Sequence, residues 1–183
     1  MCSITDSIPA PVTVPGFLSL VAHARDAAAA VTAALAADPT LLAELSDEAL
    51  ESTTAALHAT VDTATAASTV VTGRLERQVG SVRGKLIARR YPTTTRFLEH
   101  AVGMSSAQAR ATVARGRDLD THSTRVAGAW LAGAITGGTV RDLTAGVTEV
   151  IRRSTRYDTP VARGEALDHL LPIAAAGDAT RLS

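Results

Sequence analysis

Ser46 to Val79 reads SDEALESTTAALHATVDTATAASTVVTGRLERQV, and its periodicity decides the fold class. Apolar residues recur at Leu50, Leu57, Val61, Ala64, Val71, Leu75 and Val79, and the spacing continues to Val82 and Leu86. Steps of three, four and seven put them on one side of an α-helix. Ser46 opens the segment as an N-cap, its hydroxyl able to accept an otherwise unpaired amide. Asp47 and Glu48 follow at the positive end of the helix dipole. Gly73, Gly80 and Gly84 each weaken helix by ~1 kcal/mol relative to Ala. One long helix is therefore expected from 47 to 79, breaking near the last two glycines. Such a helix needs neighbours along its length and is the expected spine of a bundle.

On the N-terminal side, MCSITDSIPAPVTVP holds three prolines and reads as a disordered tail over 1–15. From Phe17 apolar residues fall at 17, 20, 21, 24, 28, 31 and 35, a second helical stripe that stops at Asp38-Pro39. LLAEL at 41–45 adds a further turn.

On the C-terminal side, Pro92 ends what precedes it, and Thr93 to Thr95 offer caps for a short helix through Val102. Gly103 suits the left-handed residue after a helix. Ser105 or Ser106 caps the next helix, through about Arg117. Ser123 or Thr124 opens a helix holding Val126, Trp130 and Leu131. GAITGG breaks it, Thr139 caps a helix with apolar residues at 140, 143, 147, 150 and 151, and Thr159-Pro160 starts a last one. The fold class is all-α, a bundle of about six or seven helices forming a single domain over 16–176, with a C-terminal tail from 177 to 183.

Aromatic residues make up 3% of the chain, so any core is built from small aliphatic side chains. Cys2 is the sole cysteine, which excludes an internal disulfide and a Cys-based zinc site. None of the five histidines stands at metal-ligand spacing from another ligand, and no P-loop, dinucleotide fingerprint or nucleophile elbow is present. GAITGGTV at 133–140 is glycine-rich, but a tight interhelical turn explains it better than a phosphate loop. No catalytic residue, metal, cofactor or small-molecule substrate is expected. No uncharged apolar stretch approaches the ~18 residues that span a bilayer, and the N-terminus lacks a basic region before its apolar run. The expectation is a cytoplasmic protein without membrane contact.

The net charge of zero hides a pattern. Residues 1–72 carry −7, residues 73–117 carry +8 and residues 118–183 carry −1. The basic middle either attracts nucleic acid phosphates or pairs with the acidic first third.

RFLEHAVGMSSAQARATVARGRDL, 96–119, lies in that basic segment and has the order of a helix-turn-helix. Phe97, Leu98 and Val102 would give the first helix its buried side, Met104 would seal the corner, and Ala109 and Val113 would face inward. Ser106, Gln108 and Arg110 would then probe bases, since Gln can bond adenine and Arg guanine through two hydrogen bonds. Arg115, Arg117, Arg89 and Arg90 would meet phosphates. Glu99 departs from the pattern, standing where such a motif wants a small residue.

LSDEAL at 45–50, the long helix, FLEHAVGMSSAQARATVARGRDL at 97–119 and AWLAGAITGGTVRDLTAGV at 129–147 together resemble the actinobacterial 13E12-repeat family. The family pattern is matched by Val102-Gly103-Met104-Ser105, Ala109-Arg110 and Leu131-Ala132-Gly133-Ala134-Ile135-Thr136, and the likeness covers roughly 41–175. The family's core is a domain of unknown function, DUF 222, that usually precedes an HNH endonuclease. The resemblance implies DNA-associated biology, often with mobile elements, and a chain corresponding to the N-terminal part only. It carries no catalytic residue here, because the Cys- and His-rich nuclease segment has no counterpart in this sequence. Two functions stay open. One is a non-catalytic DNA-associated domain serving an HNH nuclease module. The other is an interaction or self-association module built on the long helix.

Overall fold

The computed structural model describes residues 13–79, 90–121, 123–153 and 159–177. Every regular element among them is helical. The order is α1 (Val14–Ala37), a 3-10 turn (Pro39–Glu44), α2 (Asp47–Val79), α3 (Thr94–Phe97, continued by a π-helical turn over Leu98–Val102), α4 (Ser106–Thr121), α5 (Thr124–Leu131), α6 (Gly137–Arg153) and α7 (Pro160–Ala175).

The chain divides into two compact units at Thr54, inside α2. Among its described residues the N-terminal unit buries none in α1 or the 3-10 turn, and Phe17, Leu18, Leu20 and Val21 are all exposed. Thr13 caps α1, so the helix begins inside the expected tail, and residues 1–12 lie outside the described ones. By length and mean hydropathy, 1.2 at best, α1 has the composition of a membrane span. However, Arg25 and Asp26 form an ion pair near its middle, and a charge there costs about 2.5–3.5 kcal/mol on insertion.

The second unit, 55–183, holds the core. Its main cluster joins Ala66 of α2, Leu119 of α4, Val126 and Trp130 of α5, Val140, Leu143, Val147 and Ile151 of α6, and Leu167 of α7. A smaller cluster of Leu98, Ala109 and Val113, with Phe97 and Met104 against it, lies under the α3–α4 corner. Leu131 and Val150, expected to face inward, are exposed, because each falls one step outside the face its helix buries.

Helix α2 forms over the expected residues, with Ser46 accepting from the Ala49 amide at 3.3 Å. It turns the unexpected side inward. Leu57, Val61 and Val71 of the apolar stripe are exposed, while Ala66, Thr69, Thr72 and Gly73 are buried. Gly73 explains the choice. A Cβ on it would lie 2.1 Å from the Gly116 carbonyl oxygen, and one on Gly116 would lie 2.7 Å from Thr69 O and from Gly73 N. Helices α2 and α4 therefore meet backbone to backbone, closer than the 8–10 Å axis separation of helices with larger contact residues. A Leu and Val ridge could not enter that crossing. Thr72 tolerates burial because its hydroxyl donates to the Ser68 carbonyl at 2.8 Å.

Polar contacts fix the rest of α2. Arg77 pairs with Asp120, and Glu76 with Arg117 at 2.8 Å, both reaching α4. Asp62 accepts from the Trp130 indole at 3.3 Å and from the Gly137 amide at 3.0 Å. That carboxylate supplies the negative end that the start of α6 needs. The α6 cap is accordingly Thr136, whose hydroxyl accepts from the Thr139 amide at 3.2 Å, and not Thr139 itself. GAITGG is an interhelical turn with Gly133 at φ +71, and an internal carboxylate stands where a phosphate would have to bind.

Gly73→Ala should lower the unfolding free energy by about 2–3 kcal/mol, because the new methyl meets backbone. Gly146→Ala, in the middle of α6 with open space around it, should instead raise it by about 0.5–1 kcal/mol. Urea midpoints for the two proteins moving in opposite directions are the check. Asp62→Ala should cost about 2 kcal/mol by stranding the indole and the Gly137 amide, read in the same titration from Trp130 fluorescence.

Candidate nucleic-acid interface

The corner expected at 96–119 is present. Thr93 caps α3 by accepting from the Arg96 amide at 3.2 Å. Gly103 follows Val102 with φ +80, and the Met104 amide reaches back to the Leu98 carbonyl at 3.1 Å. Met104, Ala109 and Val113 face inward as expected. Val102 does not: it is 53% exposed. The π-helical turn inserts extra chain per turn, so the residue that a regular α-helix would bury swings out.

Ser105 and Gln108 form a reciprocal cap on α4. The Ser105 hydroxyl accepts from the Gln108 amide at 3.3 Å, and the Gln108 side-chain oxygen accepts from the Ser105 amide at 3.1 Å and its hydroxyl at 2.9 Å. Gln108, expected to probe bases, thus has its side-chain oxygen engaged in the free chain. Its carboxamide oxygen holds its own helix end. The signal was legible, since a serine followed three residues later by glutamine is the capping-box pattern.

Ser106 is also engaged. Its hydroxyl donates to the Glu99 carboxylate, and this bond, helped by the Arg96 charge and opposed by desolvation, holds Glu99 below the usual carboxylate range. Arg96 Nη1 lies 3.0 Å from Glu99 Oε2. Glu99 is tolerated at a position that wants a small residue because its carboxylate reaches across the corner to the start of α4.

The arginines divide by side of the helix. Ala109, Val113, Gly116 and Leu119 are the buried face of α4. Arg110 and Arg117, seven residues apart, share one flank, and Gln108 and Arg115 share the other. The outward face between them is exposed Ala107, Ala111 and Ala114. Arg117 is committed to Glu76, whereas Arg110 is exposed and makes no hydrogen bond or ion pair among the described residues. Arg115 is half-buried. Arg90 is exposed, its guanidinium 5.9 Å from the centre of the Tyr91 ring, which packs edge-on against Phe97. Arg89 lies outside the described residues.

Among the described residues, Arg77, Arg96 and Arg117 find Asp120, Glu99 and Glu76, all outside residues 1–72. Acids close at hand on α2, α3 and α4 neutralise these arginines locally. Beyond the corner, one groove between α6 and α7 has Glu165 and His169 among apolar side chains. Another, beside α2, has His58 and Asp62, with Asp62 already committed to Trp130 and Gly137. Among the described residues, no three His, Cys, Asp or Glu side chains gather as metal ligands would.

Ser105→Ala should lower the unfolding free energy by about 1 kcal/mol, and Gln108→Ala by about half of that, because each removes part of the α4 cap. Both are read from thermal melts followed by circular dichroism. No protein-family model, no curated protein and no solved structure matches the chain.

Proposed function

We propose that this chain is a non-catalytic, DNA-associated helical domain acting in the cytoplasm, of the kind that its resemblance to the 13E12-repeat family implies. One observation carries the reading: a helix, a left-handed glycine and a capped second helix that presents Arg110 and the half-buried Arg115 on either side of an exposed alanine face, with Arg90 exposed ahead of the first helix. Because the Gln108 carboxamide oxygen is held within the corner, base reading falls chiefly to Arg110. Phosphate contact by arginines with weak sequence preference is what such a surface supports. In intact relatives of this family pattern, the domain would position DNA for the HNH module.

A second reading is an interaction or self-association module, favoured by the exposed Leu57, Val61 and Val71 stripe on α2. The two readings separate in one experiment. Fluorescence anisotropy with a labelled duplex at micromolar protein should show binding at low salt. With roughly three or four phosphates contacted, log affinity should fall against log salt with a slope of about −3 to −4. Arg110→Ala should weaken that binding with no change of mass by light scattering. An absence of any bound species at low salt would sink the DNA reading, and a concentration-dependent mass would support the other.

A further inference from the structure

Glu99 is the one feature of the corner that works against the proposed DNA reading, on which the following rests. Its side chain is tucked in, 13% exposed, while its partner Arg96 is 60% exposed. Its carboxylate holds the Arg96 guanidinium at 3.0 Å on the preceding turn of α3. This is a cation of the kind that proteins use to hold nucleic acid backbone. In the free protein a carboxylate holds it instead, and it adds a negative charge where a phosphate would approach. Among residues 90–117 there are five arginines, and Glu99 is the sole acid.

We propose that Glu99 is a built-in competitor for the DNA backbone, an autoinhibitory contact that keeps Arg96 closed until a phosphate displaces it. The step is an anion exchange: one anion gives way to another on the same donors, and no covalent bond changes. The carboxylate is a weak competitor, because an exposed arginine pair on one helix face contributes little. It therefore lowers affinity without abolishing it.

Glu99→Gln tests this. The variant keeps the size of the side chain and removes its charge, and circular dichroism reports whether the helices are retained. Relative to the unaltered chain, duplex affinity at low salt should rise roughly fivefold, and the salt slope should steepen by about 0.9, the share of one added phosphate contact. Adding Arg96→Ala to Glu99→Gln should cancel the gain in slope, because Arg96 is the released cation. Glu149→Gln, which removes an equal charge on α6, should leave both quantities unchanged. Binding by the unaltered chain with no change in Glu99→Gln overturns the competitor and leaves the DNA reading standing. So does an equal gain from Glu149→Gln, which would mark a general charge effect. Binding by Glu99→Gln alone overturns the weak competitor argued here, because the unaltered chain must bind with only a severalfold lower affinity. Binding by neither overturns it together with the DNA reading.

Discussion

Gly73 and Gly116 touch without side chains between them, and much of the second unit depends on that contact. It fixes how α2 is rotated. With Gly73 inward, Ala66, Thr69 and Thr72 are buried with it, Asp62 faces α5 and α6, and Glu76 and Arg77 meet α4. The small side chains are the condition for the crossing, since any larger pair would separate the helices and the hydrogen bonds on either side would lengthen together. Bulk for the core comes from the other helices: Trp130, Leu119, Leu143, Val126 and Val140 are its largest fully buried apolar groups.

The same rotation sends the larger apolar residues of α2 outward. Leu57, Val61 and Val71 follow the regular spacing that makes the helix obvious, yet close approach and polar anchoring outweigh them. Burying a valine or leucine fully contributes about 1.5–3 kcal/mol. Against that stand a backbone-to-backbone crossing, two ion pairs with α4 and a carboxylate satisfying two donors. The arithmetic favours the glycine face once α4 and α6 are present, and periodicity cannot register helices that lie far along the chain.

That contrast explains what was legible. The class, the span of α2, the caps at Ser46, Ser123 and Thr159, and the glycine corner at 103 all come from interactions within a few residues, so local patterns reveal them. The inward face of α2, the Asp62 anchor and the division at Thr54 come from contacts between distant residues. Asp62 meets Gly137 across 75 positions, and nothing near either residue announces the other. Val102 failed for a different reason: a π-helical turn breaks the period on which its burial was read. At the candidate site, Gln108 was legible as a cap through its spacing from Ser105. The bond between Ser106 and Glu99 was not, because it bridges two helices whose angle the left-handed glycine sets.

Net charge is a poor guide to this surface for a physical reason. Residues 73–117 sum to +8, but Arg77, Arg96 and Arg117 each hold an acid within hydrogen-bond reach. Paired cations still contribute to the far field, yet each has part of its guanidinium held by a carboxylate whose charge opposes a phosphate at close range. Among the described residues Arg110 and Arg90 hold no acid, and both are exposed. Affinity for a polyanion should therefore follow the few arginines whose donors are uncommitted, with the committed ones adding long-range attraction that salt removes first. On that reasoning the acid that matters most is the one closest to the uncommitted set, and at this corner it is Glu99.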